Sequence, residues 1–261
     1  MLRVRVRAWR HAAPHAAHVG GVGDQVRRVY NATWSTGAGT QQVVVKVVNK
    51  EQGAHEKSIL SALAHNPRAH AIRLLGEVRV GDTDVGLITP ACPRQLFVGA
   101  TAPQVERQAI QLCKVSSAPP ARLLLRVSHV HDSRDLLCVC VCVRAPGVFD
   151  VQAIGEWHKT RVLHLDIKPA NIAVDSHGDV VVLDAGVSRF ADEGTADVRT
   201  PLGTPGYIAP ELRHAGTATA TTASDVYSLG VTLRSAIDKW ATAASPDQVR
   251  AVLPVSCCCY H

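Results

Sequence analysis

Aromatic residues are scarce in this chain: Phe, Tyr and Trp make up 4% of its 261 residues. A core must therefore rest on Val, Leu, Ile and Ala, which the apolar content of 46% can supply. No apolar run reaches the roughly 20 residues a membrane-spanning helix needs, so no span is expected. There is no secretory signal, and none of the eight cysteines forms a Cys-x-x-Cys pair. Those absences argue against a zinc framework and for an intracellular, reducing, cytoplasmic setting. Acidic residues are missing before Asp24, while Arg3, Arg5, Arg7 and Arg10 crowd the start. Organelle transit peptides share that pattern, but residues 1–19 also lack Ser, and a disordered or strand-like extension is the other reading. The charge excess is mild, 28 basic against 22 acidic side chains, or +6, and is diagnostic of no partner. The length fits one two-lobed domain or two small ones.

The densest chemistry lies between His164 and Gly186. His164-Leu165-Asp166-Ile167-Lys168-Pro169-Ala170-Asn171 places a carboxylate, an ammonium and a carboxamide in one short loop. A β-like run, Val180 to Leu183, leads to a second carboxylate in Asp184-Ala185-Gly186. Phosphoryl transfer needs such a set: a base near the attacking hydroxyl, a cation on the phosphate, and two oxygen ligands for a magnesium ion. The stretch resembles the catalytic and metal-binding loops of eukaryotic protein kinases, H-R-D-x-K-P-x-N followed by D-F-G. By that resemblance Asp166 accepts the substrate hydroxyl proton and Lys168 steadies the γ-phosphate. Asn171 and Asp184 each hold a Mg²⁺ ion.

A second block, Gly203-Thr204-Pro205-Gly206-Tyr207-Ile208-Ala209-Pro210-Glu211, resembles the substrate-docking end of serine/threonine kinase activation segments. There Thr204 is expected to hydrogen-bond Asp166 and Lys168. Asp225 to Val231 resembles the start of the central helix of the kinase C-lobe, with Asp225 capping backbone N–H groups of the catalytic loop. Ahead of these motifs, Gly21 and Gly23 look like a worn glycine-rich loop for phosphate oxygens. Val29 would cover the adenine. Lys46, inside the apolar run Val43 to Val48, needs a partner; the resemblance makes it Glu56, on the inward side of an amphipathic helix with Ile59, Leu60 and Leu63. Arg73 to Val78 and Val85 to Thr89 read as a hairpin. Thr89 would be the gatekeeper, and Pro90 and Cys92 would offer hinge backbone groups to adenine.

Two positions depart from the family pattern. Leu165 stands where many kinases carry an Arg that pairs with an activation-loop phosphate, so switching by that route is not expected. Ala185 replaces the Phe of D-F-G. Thr195 and Thr200, in the polar stretch Ala191 to Leu202, are candidate phosphorylation sites, and Leu212 to Ser224 reads as a loop. From Thr89 to Asp166 is 77 residues, roughly thirty more than two helices and their loops need. Residues 103–113 and 151–163 read as helices. Joining Lys114 to Val151 restores one stripe of Ile110, Cys113, Ala153 and Trp157, and the intervening Cys138-Val139-Cys140-Val141-Cys142-Val143 is what a TG repeat encodes. Residues 115–150 therefore read as a retained intron or gene-model error, with a genuine insert or a Cys-x-Cys metal site as alternatives.

The expected fold is α+β and bilobal, like a protein kinase: an extension at 1–19, a small β-rich N-lobe at 20–92, and a mainly helical C-lobe at 93–261 that ends early. The implied activity is transfer of the γ-phosphoryl group of Mg·ATP to a Ser or Thr hydroxyl of a protein substrate, with no nucleic-acid partner. The rival readings are a pseudokinase that binds nucleotide or a partner without turnover, and a non-functional fragment.

Overall fold

The computed structural model describes residues 4–5, 28–36, 39–96, 98–101, 103–105, 107–108, 124–125, 141–142 and 152–245. Its N-terminal lobe is a five-stranded antiparallel sheet in the order β1-β2-β3-β5-β4. These strands are Val4–Arg5 (β1), Arg28–Thr36 (β2), Gly39–Asn49 (β3), Gly76–Val80 (β4) and Asp84–Pro90 (β5). Val4–Arg5, read from sequence as part of an extension, pairs with Thr33 and Trp34 as the outermost strand. Alternation shapes β3: Val43, Val45 and Val47 pack into a small core with Ala32 and Ile88. Lys46, one residue out of phase, lies on the opposite face.

Helix α1, Lys50–Leu63, starts at Asn49, whose side chain accepts the Gln52 N–H. Its buried residues Glu56, Ile59, Leu60 and Leu63 fall at the three-to-four spacing of one helix face. The segment expected to begin a strand at Arg73 instead joins the two lobes. Ile72 N–H donates to Val182 O, Val182 N–H donates to His70 O, and β4 starts only at Gly76. Leu75 N–H then donates to Ile88 O of β5, so pairing with the N-terminal sheet starts only as the chain leaves this link.

The second lobe contains β6 (Arg94–Gln95), β7 (Leu124–Leu125), β8 (Val141–Cys142), α2 (Gln152–Lys159), β9 (Val162–Leu163), β10 (Ile172–Val174), β11 (Val180–Val182), β12 (Arg189–Phe190), β13 (Thr195–Thr200), β14 (Gly216–Thr221) and α3 (Thr222–Ala243). The helix expected over 151–163 thus ends at Lys159 and gives way to a strand. That expected over 103–113 is helical at 103–105 and 107–108, its remainder lying outside the described residues. One apolar cluster runs from α1 (Ile59, Leu63) through Trp157 and Ala185 to Leu229, Leu233 and Ile237 of α3. The Trp157 N–H donates to Ala69 O at 2.9 Å, so even its polar atom is satisfied inside.

Two stretches expected to be loops are paired strands. β13 and β14 align Thr195 with Thr221, Asp197 with Thr219, and Arg199 with Thr217. Thr and other small residues at alternate positions mimic a polar loop, yet they present Val198 and Ala220 to a second core with Leu163, Leu165, Ile208 and Leu212. Among the described residues no helix is long and apolar enough to cross a membrane.

Candidate active site

The loop between β9 and β10 is built backwards from α3. Asp225, wholly buried, accepts the His164 N–H through Oδ2 and the Leu165 N–H through Oδ1, both at 2.8 Å. His158 of α2 donates to the same carboxylate at 2.9 Å. This fixes Leu165 in the left-handed region, at φ 64°, a conformation costing a non-glycine residue about 1–2 kcal/mol. The Leu165 side chain turns into the second core, with Val198 and Ala220.

That turn delivers Asp166 to the cleft. Lys168 Nζ donates to its Oδ2 at 2.8 Å, and Thr204 Oγ1 donates to its Oδ1 at 2.6 Å. Thr204 Oγ1 also accepts from Lys168 Nζ at 2.6 Å, closing a triangle of carboxylate, ammonium and hydroxyl. Asn171 Nδ2 donates to Asp166 O at 2.8 Å and to Oδ2 at 3.0 Å, which directs its amide oxygen away from Asp166. Gly203 makes this approach feasible: at φ 105° a Cβ there would lie 2.6 Å from Leu165 O.

The opposite wall comes from the N-terminal lobe. Lys46 Nζ lies 2.7 Å from Glu56 Oε2 and 2.6 Å from Asp184 Oδ1, so one ammonium bridges β3, α1 and the segment after β11. Gly186 N–H donates to the same Asp184 oxygen at 3.1 Å, and a Cβ at Gly186 would stand 3.2 Å from Lys46 Nζ. Val29 is Lys46's direct partner across β2 and β3 and shares its face of the sheet, half exposed toward the cleft. Pro90 pairs with Val43 at the end of β5, and Cys92 follows outside the ladder. Burial, with the charge of Asp175, pushes the Cys92 thiol above its ordinary range. Gly21 and Gly23 lie outside the described residues, as do Cys138 and Cys140.

The Asp184 carboxylate and the Asn171 amide offer hard oxygen donors, the kind that suits a small divalent cation such as Mg²⁺. Asp166, Lys168, Asn171 and Thr204 form one hydrogen-bonded group, and Lys46, Glu56 and Asp184 another. Sequence reasoning missed His158, which carries no local pattern, and gave no role to His164. The latter's Nδ1 accepts the Asp166 N–H at 3.2 Å and its Nε2 donates to Leu183 O at 3.0 Å, tying the two carboxylate-bearing segments together.

Residues 151–248 match a family model described as protein kinase domain. CBL-interacting serine/threonine-protein kinase 24 of Arabidopsis thaliana is 40% identical over 83 residues, covering 32% of this chain and 18% of that protein. CBL-interacting protein kinase 19 of Oryza sativa subsp. japonica is 47% identical over 64 residues, 24% of this chain and 13% of that protein. Serine/threonine-protein kinase PknK of Mycobacterium tuberculosis is 37% identical over 91 residues, 35% of this chain and 8% of that protein. The chain therefore spans less than a fifth of the length of these relatives.

Proposed function

From the premise that residues 151–248 belong to the protein kinase domain family and that the fold is bilobal and kinase-like, we propose that this chain transfers the γ-phosphoryl group of ATP to Ser or Thr hydroxyls of protein substrates. One observation carries the reading: Lys46 is held by Glu56 while also touching Asp184. Phosphoryl transfer in this family needs both the Lys–Glu pair and the metal-binding Asp in place, and here both sit around one ammonium.

In the proposed reaction Lys46 holds the α- and β-phosphates, its alignment maintained by Glu56. Val29 covers the adenine, and the backbone of Pro90 and Cys92 receives its edge. Asn171 and Asp184 would hold Mg²⁺, which supplies charge neutralisation at the β- and γ-phosphates when bound. Asp166 takes the proton of the attacking hydroxyl, and Lys168, anchored by Thr204, balances charge developing on the transferred group. Positioning by these preset contacts supplies most of the rate enhancement. Lys168 and the Gly203–Glu211 segment support Ser and Thr over Tyr as acceptors.

Leu165 and Ala185 favour a second reading, a module that binds nucleotide without turnover. Incubation with γ-labelled Mg·ATP and a generic basic protein, followed by phosphoamino-acid analysis, separates the two. Label on Ser or Thr supports the kinase. Nucleotide-dependent thermal stabilisation without label replaces it with the binding module.

A further inference from the structure

Ser188 lies two residues beyond Gly186, is wholly buried, and joins three parts of the molecule. Its hydroxyl donates to His164 O at 3.1 Å, at the head of the catalytic loop. Its carbonyl lies 2.8 Å from Nε2 of His55, on α1. The Arg189 guanidinium adds donors to Ser188 O at 2.9 Å and Val187 O at 3.0 Å. A carbonyl oxygen can only accept, so His55 Nε2 carries the proton in this contact. Arg189 Nη1 also lies 3.3 Å from Nε2, but two donors cannot bond each other, and the guanidinium is spent on the carbonyls. Burial lowers the affinity of that guanidinium for its proton, a measure of how enclosed the junction is.

His55 immediately precedes Glu56 in α1. Whatever fixes His55 therefore fixes the carboxylate that aligns Lys46. Position 185, between Asp184 and Gly186, is a buried Ala that shares an apolar cluster with Ile59 and Leu63 of α1 but contributes only a methyl group to it. We infer that His55 is a positioning residue: its hydrogen bond to Ser188 O latches α1 onto the segment that carries Asp184 and onto the catalytic loop beyond it. Its consequence for turnover rests on the kinase reading; the latch itself does not.

The test uses the full chain and three proteins: native, His55→Ala and His55→Gln. Gln can present an N–H in place of Nε2–H, and Ala cannot. Amide hydrogen exchange is followed in α1 and, as an internal control, in α3. Loss of one part-buried hydrogen bond is expected to speed exchange of α1 about three- to tenfold. Exchange in α3 is expected to stay as in the native chain, and His55→Gln to restore α1. Where the native chain transfers phosphate, His55→Ala raises the KM for Mg·ATP by a similar factor and leaves the KM for protein substrate unchanged. Native exchange in α1 of His55→Ala, failure of Gln to rescue, or equal acceleration in α1 and α3 would each overturn the latch. Absence of phosphate transfer from the native chain sinks the kinase reading instead, and the exchange result still decides the latch.

Discussion

Replacing Asp225 with Ala removes the one acceptor for two buried backbone donors. The N–H groups of His164 and Leu165 each bond this carboxylate at 2.8 Å, and both residues are buried. A buried donor without a partner costs about 1–3 kcal/mol, so two cost about 2–6 kcal/mol. Desolvation of the charge is relieved at the same time, and His158 loses its acceptor. What is left behind is two neutral donors rather than a charge, so the lower part of that range, about 2–4 kcal/mol, is the expected loss. A domain is typically stable by about 5–15 kcal/mol, so the variant should remain folded and measurable. Asp225→Asn keeps Oδ1 for Leu165 but turns an NH₂ toward His164, and should lose roughly half as much. Urea unfolding followed by far-UV circular dichroism gives both values, provided the slope with denaturant stays constant. A loss below about 1 kcal/mol for Asp225→Ala would refute the claim that this carboxylate holds the loop.

Leu165 replaces a phosphate-pairing Arg with a side chain packed under Val198 and Ala220. Phosphatase treatment should therefore leave activity unchanged, and Leu165→Arg, which buries a cation without a partner, should lower the thermal midpoint; a phosphatase-sensitive enzyme would contradict this. With its thiol raised by burial and Asp175, Cys92 holds less thiolate near pH 8.5 than an ordinary cysteine of pKa about 8.5. Peptide mapping should show it alkylated more slowly by iodoacetamide in the native chain than in urea, and equal rates would count against the burial. We propose that residues 115–150 are absent from the mature message, so transcripts should join the codons of Lys114 and Val151; reads that retain the stretch would contradict it.

What was legible in the sequence is what one short segment fixes by itself. Asp166, Lys168 and Asn171 sit in a single loop, so their spacing alone puts them around one point. Lys46 and Glu56 lie on consecutive elements, and an unpaired Lys in an apolar strand already demands an acid. The β13–β14 ladder was illegible because Thr-rich strands carry too little apolar contrast, and their pairing depends on register across the whole intervening segment. The loop expected over 191–202 and the one over 212–224 are each other's partners. Ser188 was hidden for a different reason: its link to His55 runs through a backbone carbonyl, which every residue has. The burial of Leu165 follows from a left-handed turn imposed by Asp225, sixty residues away in sequence.

The central claim is that the Asp166 carboxylate, framed by Lys168, Asn171 and Thr204, serves as the base for phosphate transfer. Its most direct test compares initial rates of transfer from labelled Mg·ATP by the native chain and Asp166→Ala, with nucleotide binding measured on both. A positioned general base contributes about 10²–10⁴-fold, so a rate loss in that range with nucleotide affinity retained is expected. Equal rates in the two proteins, or no transfer by either, would contradict it.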